Sequence, residues 1–201
     1  MSSQLLGYLP ASRGTLLMLR RKLELIRRGK NILEMRRDQL VREIFLLIDK
    51  LKKRADIEKK FVKALDSLAI LRIYRGEQEF RSMLELVKPP EIEVLLISVQ
   101  GVPVPQARIK KEPDLSLIKD PEYYKAFKEL WEATRELIDV ANIEVTVEKL
   151  TAQLSYINRV VNSLEKKLIP AFKEAIRYIE EKLEEEVLGE YIRLMKIREL
   201  S

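Results

Sequence analysis

Two kinds of side chain in this sequence could do chemistry: runs of carboxylates and runs of arginine and lysine. "EEKLEEE" at 180–186 puts five glutamates within seven residues. Gathered by a loop, such a set could hold a divalent cation. On a helix, successive glutamates point around the cylinder rather than converge, so the spacing reads as a solvated face. The cations form "RRK" at 20–22, "RRGK" at 27–30, "RR" at 36–37 and "KKR" at 52–54. A row of this kind can attract phosphates or an acidic protein surface. The chain has no Cys and no His, which excludes disulfides, thiolate nucleophiles and His-based zinc sites. It also removes the commonest general acid–base residue. Neither common Gly-rich phosphate loop occurs. These observations point away from an enzyme active site, and no catalytic, cofactor-binding or metal-ligating residue is assigned.

The elements that carry these charges follow from composition. Of 201 residues, 35% are charged and only 6 are glycine, a bias toward long helices. The longest apolar runs, such as "VLLISV" at 94–99, are too short to cross a bilayer. No signal peptide is visible, and a cytosolic compartment is the default reading. The net charge of +6 is unevenly spread. Residues 15–88 hold 20 basic and 11 acidic side chains, whereas 121–201 hold 13 and 16. Segments of opposite sign are expected to lie against each other.

Heptads read from Leu16 place Leu19, Leu23, Ile26, Leu33, Leu40, Ile44, Leu47 and Leu51 at core positions, resuming at Phe61, Leu65 and Leu68. Lys30, Arg37, Arg54 and Glu58 fall on the same seam. A second helix opens at Asp120-Pro121, an N-cap followed by proline at the first helical position. Its seam is Val140, Ile143, Val147, Leu150, Leu154, Ile157, Val161, Leu164 and Leu168, with steps alternating between 3 and 4. Between the helices, "EIEVLLISVQGVPVPQARI" is rich in β-branched residues and breaks at Gln100-Gly101. It reads as a β-hairpin whose Pro103 and Pro105 confine the return strand to an edge. Trp131 and the pair Tyr123-Tyr124 are expected to pack the second helix onto that hairpin. The expected fold is all-α: a long antiparallel two-helix left-handed coiled coil with a small β-hairpin insert. Its segments are a lead-in at 1–14, a helix at 15–88, the insert at 89–120 and a helix at 121–201.

Pro170 interrupts the second helix at an outward position. Leu164, Leu168, Phe172 and Ile176 are then separated by three successive steps of 4. Such a stutter locally unwinds a left-handed supercoil, so a bend or a straightening is expected around Pro170, Phe172 and Ile176.

Several stretches carry a resemblance. "LRRKLELIRRGKNILEMRRDQLVRE" (19–43), "NRVVNSLEKKLIPAFKEAIRYIEEKLEEE" (158–186) and "YIRLMKIRE" near the end resemble the D subunit of A-type and V-type rotary ATPases. The carriers are Gly29, Ile32-Leu33 and Arg36-Arg37-Asp38; then Arg159, Val161-Asn162, Leu164-Glu165 and Ile169-Pro170; and "GVPVP" from Gly101 to Pro105. Glu34, Val160 and Ala11 depart from the family pattern. The resemblance implies a non-catalytic central-stalk axle, without cofactor, of a proton- or sodium-translocating ATP synthase. It implies a place at the cytoplasmic face of the cell membrane, as a peripheral protein without membrane insertion. The implied partners are the catalytic and nucleotide-binding subunits of a hexameric head, a small central-stalk subunit (F-like) and a socket subunit (C-like) on the proteolipid ring. Arg20, Arg21, Arg27, Arg28, Arg36 and Arg37 become candidates for a bearing facing the hexamer.

Three other readings compete. A basic coiled-coil RNA-binding arm would use the same arginines, but no aromatic residues line them for base stacking. A prefoldin-type chaperone has shorter helices and apolar tips. The gamma axle of F-type synthases carries a larger α/β domain than a 32-residue insert can supply. No nucleic acid is therefore expected as partner.

Overall fold

The structure, a computed structural model, describes residues 10–199. The first nine residues of the expected lead-in and the last two of the final helix lie outside that range. Six helical segments and two strands follow in order: α1 (Arg13–Leu51), α2 (Arg54–Arg75), α3 (Glu77–Leu86), β1 (Glu91–Val99), β2 (Val102–Lys111), α4 (Pro121–Ser163), a π-helical turn (Leu164–Leu168) and α5 (Ile169–Glu199). Long helices joined by a small antiparallel hairpin are the fold class the sequence predicts.

Where the sequence reading has one helix over 15–88, the structure has three. The α1–α2 break falls at Lys52-Lys53, in the polar stretch where the heptads lapse. The α2–α3 break falls at Gly76, whose φ of 87° suits a residue without Cβ. After the first break the seam changes phase. Leu65, expected in the core, is exposed, and Ala64 is buried in its place beside Leu68. Arg54 and Glu58 are exposed for the same reason.

The chain forms two compact units, residues 1–39 with 154–201, and residues 40–153. In the first, Leu19 and Leu23 of α1 form a core with Ile176 and Ile179 of α5, flanked by Leu16, Ile169, Phe172, Ala175 and Leu183. Ser12 starts α1 by accepting the Thr15 amide on its hydroxyl (3.1 Å). In the second, Leu68, Ile118, Tyr123, Ala126 and Phe127 form a core bordered by Phe80, Met83 and Val87. Tyr123 lies between Phe80 and Phe127 at ring-centroid distances of 6.3 and 6.2 Å. Tyr123 thus packs among α2, α3 and the loop before α4 rather than on the hairpin. Tyr124 is exposed, and Trp131 is half-buried beside Pro113 and Leu115. Asp120 caps α4 as expected, accepting the amides of Glu122 (2.8 Å) and Tyr123 (3.4 Å).

The hairpin turns through Gln100 (φ 49°) and Gly101 (φ 73°), two consecutive left-handed residues that make a type I′ turn matched to strand twist. Strand pairing runs from Val99↔Val102 to Ile92↔Ile109, with an irregularity between Ile92 and Glu91, which pairs with Lys111. Val102 and Val104 are buried.

Candidate interaction surfaces

Opposite charges on the two halves of the chain meet as the composition implies. In the first unit Arg20 bonds Glu180 (2.6 Å) and Lys30 bonds Glu165 (3.1 Å). In the second, Arg54 meets Glu144 (2.8 Å), Lys60 meets Glu136 (3.0 Å) and Arg75 meets Glu122 (3.1 Å). Within each unit the first number rises as the second falls, so the paired segments run antiparallel. These partners are mostly solvent-exposed, and pairs of this kind contribute roughly 0–1 kcal/mol each. They set register more than they hold the helices together. Burial along the seam does that. Val140, Leu150, Ile157 and Val161 are buried, and Ile143, Val147, Leu154, Leu164 and Leu168 are half-buried.

Lys30 is the most enclosed of the seam cations. Its ammonium also reaches Glu34 (3.4 Å). The hydrogen bond to Glu165 holds the Lys30 pKa above its ordinary value, opposed by partial burial and aided by the charges of Glu165 and Glu34.

The expected bearing arginines do not share one face. Arg20 is drawn to Glu180, Arg28 to Glu24 on its own helix, and the half-buried Arg37 to Asp38 (3.0 Å). Arg21, Arg27 and Arg36 are exposed. A different row emerges on the outward side of α1: Met18, Arg21, Leu25, Arg28, Ile32 and Met35, again in steps of 3 and 4. Leu25 is 70% exposed and Ile32 61%. This is a second heptad seam, apolar and arginine in alternation, left exposed among the described residues. Far along α5, Leu188, Tyr191, Leu194 and Met195 are likewise exposed. The inward heptads hid the outward one, because the hydrophobic count was satisfied before it was reached.

The stutter takes a definite form. The Ile169 amide bonds the carbonyl of Leu164 five residues back, one residue more than in an α-helix. The π turn absorbs the extra residue that three steps of 4 introduce, keeping Phe172 half-buried and Ile176 buried. Pro170, exposed, follows immediately. Its ring would crowd the carbonyl of Lys166 in a regular helix, so the widened turn relieves both constraints.

Sequence reasoning missed Asn142. Its Oδ1 accepts the Ala107 amide (2.8 Å) and its Nδ2 donates to the Ala107 carbonyl (2.9 Å), fixing β2 to α4. The available signal was an amide side chain beside the seam residue Ile143. Near the hairpin base, Asp114 accepts the Ser116 amide (3.0 Å) and holds Lys88 (3.1 Å). The Ser116 hydroxyl and amide, then Lys88, draw the Asp114 carboxyl down to about 2. Burial raises the Tyr123 phenol, whose hydroxyl is enclosed without a hydrogen-bond partner.

Among the described residues no group of three or more acidic side chains converges for a metal ion, and no helix is long and apolar enough to cross a membrane. What the surfaces define is a protein of long helices with an exposed apolar–arginine row along α1. The sequence profile of the ATP synthase D subunit matches residues 15–199. The chain belongs to the ATP synthase D-subunit family. It is 32% identical to the A-type ATP synthase D subunit of Haloquadratum walsbyi, covering 93% of this chain and 84% of that one. It is 32% identical to that of Archaeoglobus fulgidus (93% and 94% covered) and 30% identical to that of Pyrococcus furiosus (94% and 92%).

Proposed function

We propose that this chain is the non-catalytic rotor axle of an A/V-type ATP synthase, carrying torque between an ion-driven membrane ring and the catalytic hexamer. The observation that carries the proposal is the outward row on α1. Exposed Met18, Leu25, Ile32 and Met35 give a sliding apolar surface, and Arg21 and Arg28 between them make individually weak, exchangeable contacts with acidic neighbours. A rotor needs contacts of that kind. Ones that are too strong would trap one angular position. In this reading the hexamer's sites already sample several conformations, and the rotor biases each by differential contact. The π turn and Pro170 break the uniformity of the helix pair, which lets the axle present different faces to equivalent sites. The hairpin side would meet the small stalk subunit and the socket subunit at the cytoplasmic face of the membrane.

The test is native mass spectrometry of the chain mixed with catalytic and nucleotide-binding subunits from the same organism. One copy per hexamer is expected. The variant Arg21→Glu/Arg28→Glu should weaken the complex. Absence of any complex, even with the small stalk subunit added, overturns the axle; steeply salt-dependent RNA binding would then favour the RNA-binding arm.

A further inference from the structure

The two edges of the hairpin are built differently. In a two-residue hairpin Val99 and Val102 exchange ladder bonds, so hydrogen-bonded pairs continue at Ile97–Val104 and Leu95–Gln106. The backbone groups of the alternate pairs, Ser98–Pro103, Leu96–Pro105 and Val94–Ala107, then point away from the ladder. On β2 that outward edge is blunted from Pro103 to Ala107. Pro103 and Pro105 have no amide to offer, and both backbone groups of Ala107 are taken by Asn142. On β1 it is open. The outward amides and carbonyls there belong to Ile92, Val94, Leu96 and Ser98, in a strand without proline. The side chains of Ile92, Val94 and Leu96 are 46%, 68% and 76% exposed. Edges of this length and polarity recruit another strand unless they are blunted. This chain blunts only one of its two.

We infer that β1 receives an extended segment of another subunit of the same assembly, which adds a third strand to the sheet. That segment carries apolar side chains at alternate positions against Val94 and Leu96. It also carries a lysine or arginine across from Glu93, since Glu91 is already held by Lys111 (2.6 Å). A second copy of this chain fits less well, because its own β1, "EIEVLLISV", offers no basic residue to that acidic end. Main-chain bonds give such an interface its affinity, and the alternate side chains give it specificity. The inference rests on the stalk reading only in taking the partner from the same ATP synthase.

The experiment compares residue-level hydrogen exchange in the isolated chain and in the purified ATP synthase of the source organism. In the isolated chain the amides of Leu95, Ile97 and Val99 should be slow and those of Val94, Leu96 and Ser98 fast. In the assembly, Val94 and Leu96 should slow by roughly 100-fold or more, as for amides entering a sheet ladder. The variant Val94→Pro/Leu96→Pro removes outward donors without touching the ladder, as Pro103 and Pro105 already do on β2. It should leave Leu95 and Ile97 slow and abolish the added protection of Ser98. Unchanged exchange at Val94 and Leu96 in an assembly that contains the chain overturns the strand addition while leaving the axle intact. Slowing in the isolated chain that grows with its concentration overturns the partner in favour of a second copy. Absence of the chain from the purified assembly overturns both readings.

Discussion

The π turn allows a sharp separation of two effects that coincide in sequence, the proline and the extra residue. A proline inside a regular helix costs about 3 kcal/mol relative to alanine. Here that cost has already been absorbed, because the Ile169 amide has retreated to the Leu164 carbonyl. Pro170→Ala therefore recovers at most one backbone hydrogen bond, ~1 kcal/mol. Against this stands ~0.4–1 kcal/mol from the looser unfolded chain. The net change should lie within about 1 kcal/mol of zero, and the π turn should persist. Straightening it would rotate Phe172, Ile176 and Ile179 by roughly 100° away from Leu19 and Leu23. A chain lacking Pro170 behaves differently. Val161, Leu164, Leu168 and the shifted Phe172, Ile176 and Ile179 then fall into unbroken steps of 4 and 3. The turn should close to α-helix with the seam in register, and the stability of the first unit should stay within ~1 kcal/mol, because the π turn had already absorbed the proline's interior cost. Urea unfolding followed by circular dichroism reads the stability, and the Ile169 amide chemical shift reads the turn. A deletion variant that loses 2 kcal/mol or more (roughly 30-fold in the folding equilibrium) would refute the reasoning. So would a Pro170→Ala chain in which the turn has closed.

Three further outcomes are expected in the second unit. Leu150→Ala should cost ~2–5 kcal/mol, because Leu150 is fully buried, whereas Leu65→Ala should stay within ~0.5 kcal/mol; denaturant midpoints compare the two. Asn142→Asp keeps the acceptor for the Ala107 amide but sets a carboxylate against the Ala107 carbonyl, costing about 1–3 kcal/mol at neutral pH. Only the protonated acid can donate there, so its folded pKa rises above the unfolded value of about 3.9, and the loss should shrink as pH falls through that raised value. Asp114 has the opposite sign. Its folded pKa is lowered to about 2, so its contribution is present above the unfolded value of about 3.9 and is lost as pH falls toward 2. Carboxyl NMR should show that titration, and Ser116→Ala should move its midpoint upward.

The sequence carried the inward seams well because burial there is periodic and nothing else interferes. Val140 through Leu168 needed only counting. The Asp120-Pro121 start was legible from local backbone chemistry, which does not depend on distant residues. What escaped was decided by interactions whose partners lie far apart in sequence. Asn142 and Ala107 are 35 residues apart, and no local pattern links an amide on a helix to a strand backbone. The change of phase after Lys53 escaped for a related reason. A heptad carried across a polar gap retains its old phase in sequence, while the helix after a break is free to choose another, and Ala64 displaced Leu65. The stutter at Leu164–Ile176 was visible, but spacing alone pointed to a bend or a straightening and not to the π turn. The hydrogen bond from the Ile169 amide to the Leu164 carbonyl is what reveals it.

The distribution of the arginines bears on what kind of contact this protein makes. Had all six expected bearing residues shared one exposed face, the surface would resemble an anion-binding groove, with attraction growing steeply as salt falls. Instead Arg20, Arg28 and Arg37 are partly neutralised by Glu180, Glu24 and Asp38. Arg21 and Arg28 are also separated by Leu25, and Ile32 follows Arg28. In the proposed axle, a partner surface sliding over that row would meet a cation, then an aliphatic patch, then a cation already shared with a carboxylate. Each contact can be exchanged for the next without an unpaired buried charge at any stage, which is the costly intermediate for charges held in an interface. The same half-neutralisation that makes these residues poor at gripping a polyanion would suit them to the turning surface of the proposed axle.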